Sequence, residues 1–161
     1  MRLFPYLLYL ILISLHVVIL ADLTSIVGVK IDLAAFIILA VAMYKGELAS
    51  LWFGFLAGLT AGATLPNAIG WFGLFGATLG LTANRFKDRI NVDSFAAKLL
   101  MTFTGVVLFN LAVAAVIQSE GLGALWWRDV LAGALYTTIV AALFFAIKHG
   151  YLTGQRFKSI F

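Results

Sequence analysis

The chain has 161 residues, of which 63% are hydrophobic and only 11% charged, with a formal net charge of +4. A soluble domain is about half apolar and about a quarter charged, so this balance places residues 1–161 in a bilayer as a single transmembrane domain. The sequence has no cysteine, which excludes disulfides, thiolate metal sites and thiol catalysis.

A membrane helix needs about 20 mostly apolar residues. Measured against that length, the chain predicts an all-α, polytopic membrane protein with six spans, over about 4–21, 27–44, 48–64, 68–83, 95–118 and 130–147. The first run resembles a signal peptide only superficially. It is longer than a typical signal core and further apolar segments follow, so it reads as an uncleaved span. The second run is short unless it starts near Val27. Lys45-Gly46-Glu47 separates the second and third spans, and Pro66-Asn67 separates the third and fourth. Proline disfavours helix in the residue before it, and Asn suits turns. With such short connections, spans two to four are antiparallel neighbours.

Lys and Arg in the loops set the orientation. With a cytoplasmic amino terminus, Arg2, Lys45, Arg85, Lys87, Arg89, Lys98, Lys148, Arg156 and Lys158 lie inside, and Lys30 and Arg128 outside, nine against two. Six spans with both termini in the cytoplasm satisfy this bias. Trp126-Trp127 then falls at the outer interface, as interfacial aromatics do. The basic segment NRFKDRINVDS becomes a cytoplasmic loop, where Arg85, Lys87 and Arg89 meet anionic lipid or a cytosolic partner. The charge pattern thus points to a membrane surface rather than to nucleic acid.

Within the third span, Gly54, Gly58 and Gly62 recur every four residues, and Gly70, Gly73, Gly76 and Gly80 thin the fourth. A phosphate loop needs a strand before its glycines, or a Lys followed by Ser or Thr after them. Here the flanks are Leu, Trp, Phe and Ala inside apolar runs. Small residues at this spacing let helix backbones approach closely in lipid, so Gly54, Gly58, Gly62, Gly70 and Gly73 read as a packing or partner interface. Short, glycine-interrupted spans also point to substrate sites in transporters. A transporter of charged solutes usually carries charged residues deep in its spans. The mid-span polar residues here are His16, Thr60, Thr104, Asn110 and Tyr136. His16 and Asn110 fit either interhelical hydrogen bonding or a relay.

All seven acids, Asp22, Asp32, Glu47, Asp88, Asp93, Glu120 and Asp129, fall at span ends or in loops. None pairs with histidine at a metal-ligand spacing, and no nucleophile elbow or zinc-protease motif occurs. The chain therefore reads as a non-enzyme without cofactor or metal. On the outer side, Lys30 and Asp32 form either an interfacial ion pair or a contact to a partner's membrane-proximal segment.

The stretch IDLAAFIILAVAMYKGELASLWFGFLAGLTAG has an acid opening a span, a basic-Gly turn and then a glycine-striped helix. In this order of features it resembles the rod-shape-determining membrane protein family MreD, on Asp32, Lys45, Gly46, Gly54, Gly58 and Leu59, with Gly70 opening the next span. Two positions depart from the family pattern: Ile31 stands where a proline is common, and Gly62 where an aspartate is. The resemblance implies a multi-pass scaffold of the bacterial cytoplasmic (inner) membrane. Such a scaffold binds the bitopic coiled-coil protein MreC and couples peptidoglycan synthesis to the MreB cytoskeleton in cell elongation. It also implies a fold similar to the substrate-binding subunit of energy-coupling-factor vitamin transporters, which is the alternative reading.

Overall fold

The computed structural model describes residues 4–20, 29–90, 94–117 and 128–148. Six helices cover most of them. Helix α1 spans Phe4–Leu15 and continues as a π-helical turn, His16–Leu20. Helix α2 spans Leu33–Tyr44, α3 Glu47–Ala61 with a closing 3-10 turn Gly62–Thr64, and α4 Ile69–Lys87. Helix α5 spans Phe95–Ile117, and α6 spans Gly133–Lys148 after a π-helical turn, Arg128–Ala132. Trp126-Trp127, Asp22, Arg156 and Lys158 lie outside the described residues, as do both chain termini.

The second predicted span is shorter as a helix than its apolar run. Asp32 ends it on the amino-terminal side, because its carboxylate accepts the Ala35 amide at 2.9 Å and caps the first turn. Val29 to Asp32 are therefore outside the helix, which corrects the expected start near Val27. At 1.5 Å per residue, the 12-residue helix α2 rises about 18 Å, well short of the roughly 30 Å hydrocarbon layer. The fourth helix differs in the opposite sense. It continues four residues past Ala83, through Asn84, Arg85 and Lys87, because those polar side chains find partners on neighbouring elements.

Helix α2 is the centre of the fold and touches each of the other five helices. Ala34 to Leu39 and Val41 to Met43 are all buried, as expected of a helix that is apolar on every side. Around it, α1 packs on α3, α3 on α4, α4 on α5 and α5 on α6. Aromatic contacts fix two of the joints. Tyr6 and Tyr9 of α1 lie on Phe53 of α3, with ring centroids at 5.8 and 6.2 Å, and Phe36 of α2 meets Phe145 of α6 edge-on at 6.1 Å.

The outward faces of the surrounding helices are apolar. Phe4 and Ile11 on α1, Leu48 and Trp52 on α3, Leu100 and Leu108 on α5, and Ile139 and Ile147 on α6 are all exposed. A water-facing bundle would place charge there; apolar residues both inside and outside fit lipid as the surrounding solvent. Two helical segments, Phe95–Val116 and Val130–Ile147, are long and apolar enough to cross a membrane.

Candidate functional site: a glycine seam and the capped ends of the central helix

The closest contact in the fold runs along α3 and α4, and glycine makes it possible. A Cβ on Gly54 would strike the Gly76 carbonyl, with the carbonyl carbon at 2.9 Å and Ala77 Cα at 3.3 Å. A Cβ on Gly58 would strike the Phe72 carbonyl, with Gly73 Cα at 3.0 Å, and one on Gly80 would strike the Ser50 carbonyl. The pairs 50/80, 54/76 and 58/72 step by four residues in opposite directions, the register of two antiparallel helices meeting on i, i+4 faces. Backbone lies on backbone here.

Two of the other three seam candidates meet side chains. Gly62 faces the Phe72 side chain at 2.9 to 3.0 Å, and Gly73 faces Leu59 Cδ2 at 2.8 Å and Phe55 Cε2 at 3.1 Å. Gly70 does not join the seam. Nothing lies within 4 Å of a Cβ there, because at 3.6 residues per turn Gly70 sits about 120° around α4 from Gly76. Within the chain, then, Gly70 has no packing role on α3, and its place in a partner interface is a separate matter. Gly105 of α5, by contrast, is a tight position that the four-residue pattern does not reveal. A Cβ there would press on Leu39 of α2 at 2.7 Å.

At the basic end of the bundle, Asn84 of α4 is buried and reaches the end of α2. Its Nδ2 donates to the Ala42 carbonyl at 2.8 Å, the Lys45 carbonyl at 2.7 Å and Ser50 Oγ at 3.3 Å. Lys87 Nζ donates to the same Lys45 carbonyl at 2.6 Å. The last carbonyls of a helix have no partner within it, and α4 supplies donors to two of them. Arg85 bridges to Glu47 at 2.9 Å on the surface, and Arg89 is exposed. Lys98, counted with the cytoplasmic cations although it falls within the predicted span over 95–118, is buried on α5, with Nζ 5.8 Å from the Tyr44 ring centroid and 5.9 Å from that of Phe145.

The opposite end of α2 is tied to α6. Asp32 is half-buried, and besides its cap its backbone amide donates to Thr137 Oγ1 at 2.9 Å. The Thr137 hydroxyl donates in turn to the Gly133 carbonyl at 2.8 Å. Lys30 is exposed, and its carbonyl approaches the Gly133 backbone, beside the Asn110 amide. His16 is buried in the π-helical turn of α1. An open recess of about 300 Å³ lies between the α3–α4 connection and α5, lined by Leu65, Pro66, Asn67, Ala68 and Val116. Among the described residues, no group of three His, Asp or Glu side chains could hold a metal ion.

The sequence could signal the glycines by their spacing. It could not signal Asn84, Thr137 or Gly105, whose roles depend on partners 34 to 105 positions away for the two hydrogen-bonding residues and on another helix for the third. No protein-family model, curated protein or solved structure matches the chain.

Proposed function

We propose that the chain is a non-enzymatic scaffold of the MreD type. In this reading it crosses the bacterial cytoplasmic membrane six times with both termini inside. It binds an MreC-like bitopic coiled-coil protein and helps couple peptidoglycan synthesis outside to an MreB-like filament inside. The observation that carries the reading is the use made of the motif residues. Asp32 caps α2, the Lys45 carbonyl takes donors from α4, and Gly54 and Gly58 let α3 lie on α4. They build a rigid wall of helices with an apolar exterior, as a scaffold embedded in lipid requires. A vitamin-binding subunit needs a polar-lined chamber; the recess at Leu65 to Ala68 has one polar side chain, Asn67, in its lining and is not such a chamber.

Solubilising the tagged full-length chain from its native membrane and identifying what copurifies tests the proposal. Recovery of a single-span coiled-coil protein is the expected result. Recovery of ATPase subunits, or of a tightly bound vitamin, overturns it in favour of transport.

A further inference from the structure

We propose that the basic end of the bundle carries a seat for the headgroup of an anionic phospholipid, formed where the last turns of α4 meet the α2–α3 connection. This goes beyond the scaffold reading and rests only on membrane placement. The winding of α4 persists past Lys87, since the amides of Arg89 and Ile90 both donate to the Phe86 carbonyl at 3.0 Å. Residues four apart therefore share a face. Arg85 and Arg89 form a basic stripe, and Phe86 and Ile90 form an apolar stripe beside it. All four are exposed, Phe86 by 54% and Ile90 by 36%. Across from them, at the start of α3, Leu48 is 70% exposed next to Glu47, which Arg85 meets.

Large apolar side chains alternating with guanidinium groups suit a boundary, with the apolar groups in hydrocarbon and the charges among headgroups. The charges on these elements are Lys45, Arg85, Lys87 and Arg89 against Glu47 and Asp88, four minus two, a net +2. Glu47 engages Arg85, and the Lys45 carbonyl engages Lys87 Nζ. The side chains of Lys45 and Arg89 are exposed at this same end of the bundle, and a guanidinium offers a phosphate two parallel hydrogen bonds. A polyanion dissolved in water would use the cations and leave Phe86, Ile90 and Leu48 in water. A phospholipid uses both stripes.

The test reconstitutes the full-length chain into phosphatidylcholine bilayers with a minor fraction of phosphatidylglycerol and measures co-released lipid by native mass spectrometry. Phosphatidylglycerol is expected to be enriched on the protein above its bulk fraction. K45Q/R89Q should lower that enrichment by about fivefold per cation removed, with the melting temperature unchanged because both side chains are exposed. R128Q, at the opposite end, should leave it intact. Equal retention of the two lipids, or enrichment that survives K45Q/R89Q, overturns the seat. A comparable loss in R128Q overturns it too, because net charge would then suffice. A chain that does not enter phosphatidylcholine bilayers overturns membrane placement and both proposals. Insertion without lipid preference overturns this one and leaves the scaffold standing.

Discussion

Alanine at Gly54 and alanine at Gly70 should move stability in opposite directions, although both glycines sit on the same apolar hairpin. At Gly54 the new methyl would lie 2.9 Å from the Gly76 carbonyl carbon. Carbon atoms pack at about 3.5–4.0 Å, so α3 and α4 must part by roughly 0.6 Å or more. A gap of that size forfeits about a quarter to a half of each dispersion contact along the seam. In lipid those contacts, rather than the hydrophobic effect, hold two helices together. Overpacking costs about 1–3 kcal/mol, and the upper end applies because the obstacle is backbone that cannot change rotamer. Alanine returns up to about 1 kcal/mol of helix propensity over glycine, leaving Gly54→Ala destabilised by about 2 kcal/mol. At Gly70 nothing lies within 4 Å, so only the propensity gain of up to about 1 kcal/mol operates. Thermal unfolding of the purified protein in one detergent, followed by size-exclusion recovery, measures both. A Gly54→Ala protein as stable as the parent, or a Gly70→Ala protein destabilised to the same degree, would refute the seam.

Asn84→Ala should cost about 1–3 kcal/mol in the same assay, because it strands the buried Ala42 carbonyl. Asn84→Asp should cost more, since it turns a carboxylate toward the two carbonyls that the amide had served. Asp32→Ala should lose about 1 kcal/mol with its cap, while Asp32→Asn, whose side-chain oxygen also caps, should stay near the parent; equal losses in both would place the carboxylate's role outside capping. Removing the Arg85–Glu47 pair by Glu47→Gln should change stability by less than about 1 kcal/mol, because both side chains are largely exposed. A larger loss would show a network at that end that the single bridge does not account for.

Local pattern and long-range partnership divide what the sequence reveals. The apolar run over 95–118 and helix α5, Phe95–Ile117, nearly coincide, since twenty or more apolar residues without proline have few alternatives to helix. Hydropathy stops α4 at Ala83 because Asn84, Arg85 and Lys87 read as loop residues; the helix continues because two of them donate to the end of α2. Hydropathy likewise starts the second span too early, since Val29 and Ile31 are as apolar as the helix that follows. The stripe of Gly54 and Gly58 is legible as a thin face, but not the identity of α4 as the helix it meets. Gly70 misleads for the same reason: its spacing from Gly73 looks periodic, while its angle about α4 points elsewhere. Lys98 is the clearest reversal. The predicted span over 95–118 already contains Lys98, and the charge count takes it as a cytoplasmic cation, yet α5 carries it in between the Tyr44 and Phe145 rings.

The polar residues inside this apolar fold follow from the shortness of α2. In a bilayer, a helix rising about 18 Å at the middle of a bundle would not bring both ends to water across roughly 30 Å of hydrocarbon. Its unpaired amides and carbonyls must be met by side chains, since each costs several kcal/mol if left bare in lipid. Asp32 caps one end and Thr137 anchors it to α6; Asn84 and Lys87 serve the other from α4. The same four residues bolt the central helix to two of the helices that surround it, at opposite ends. Ser50, buried beside Asn84, spends its own hydroxyl hydrogen on the Gly46 carbonyl, which joins the α2–α3 turn to the same lock. A ligand entering from either end would find these groups engaged. The seam and the caps thus set how the exposed faces of the outer helices are held.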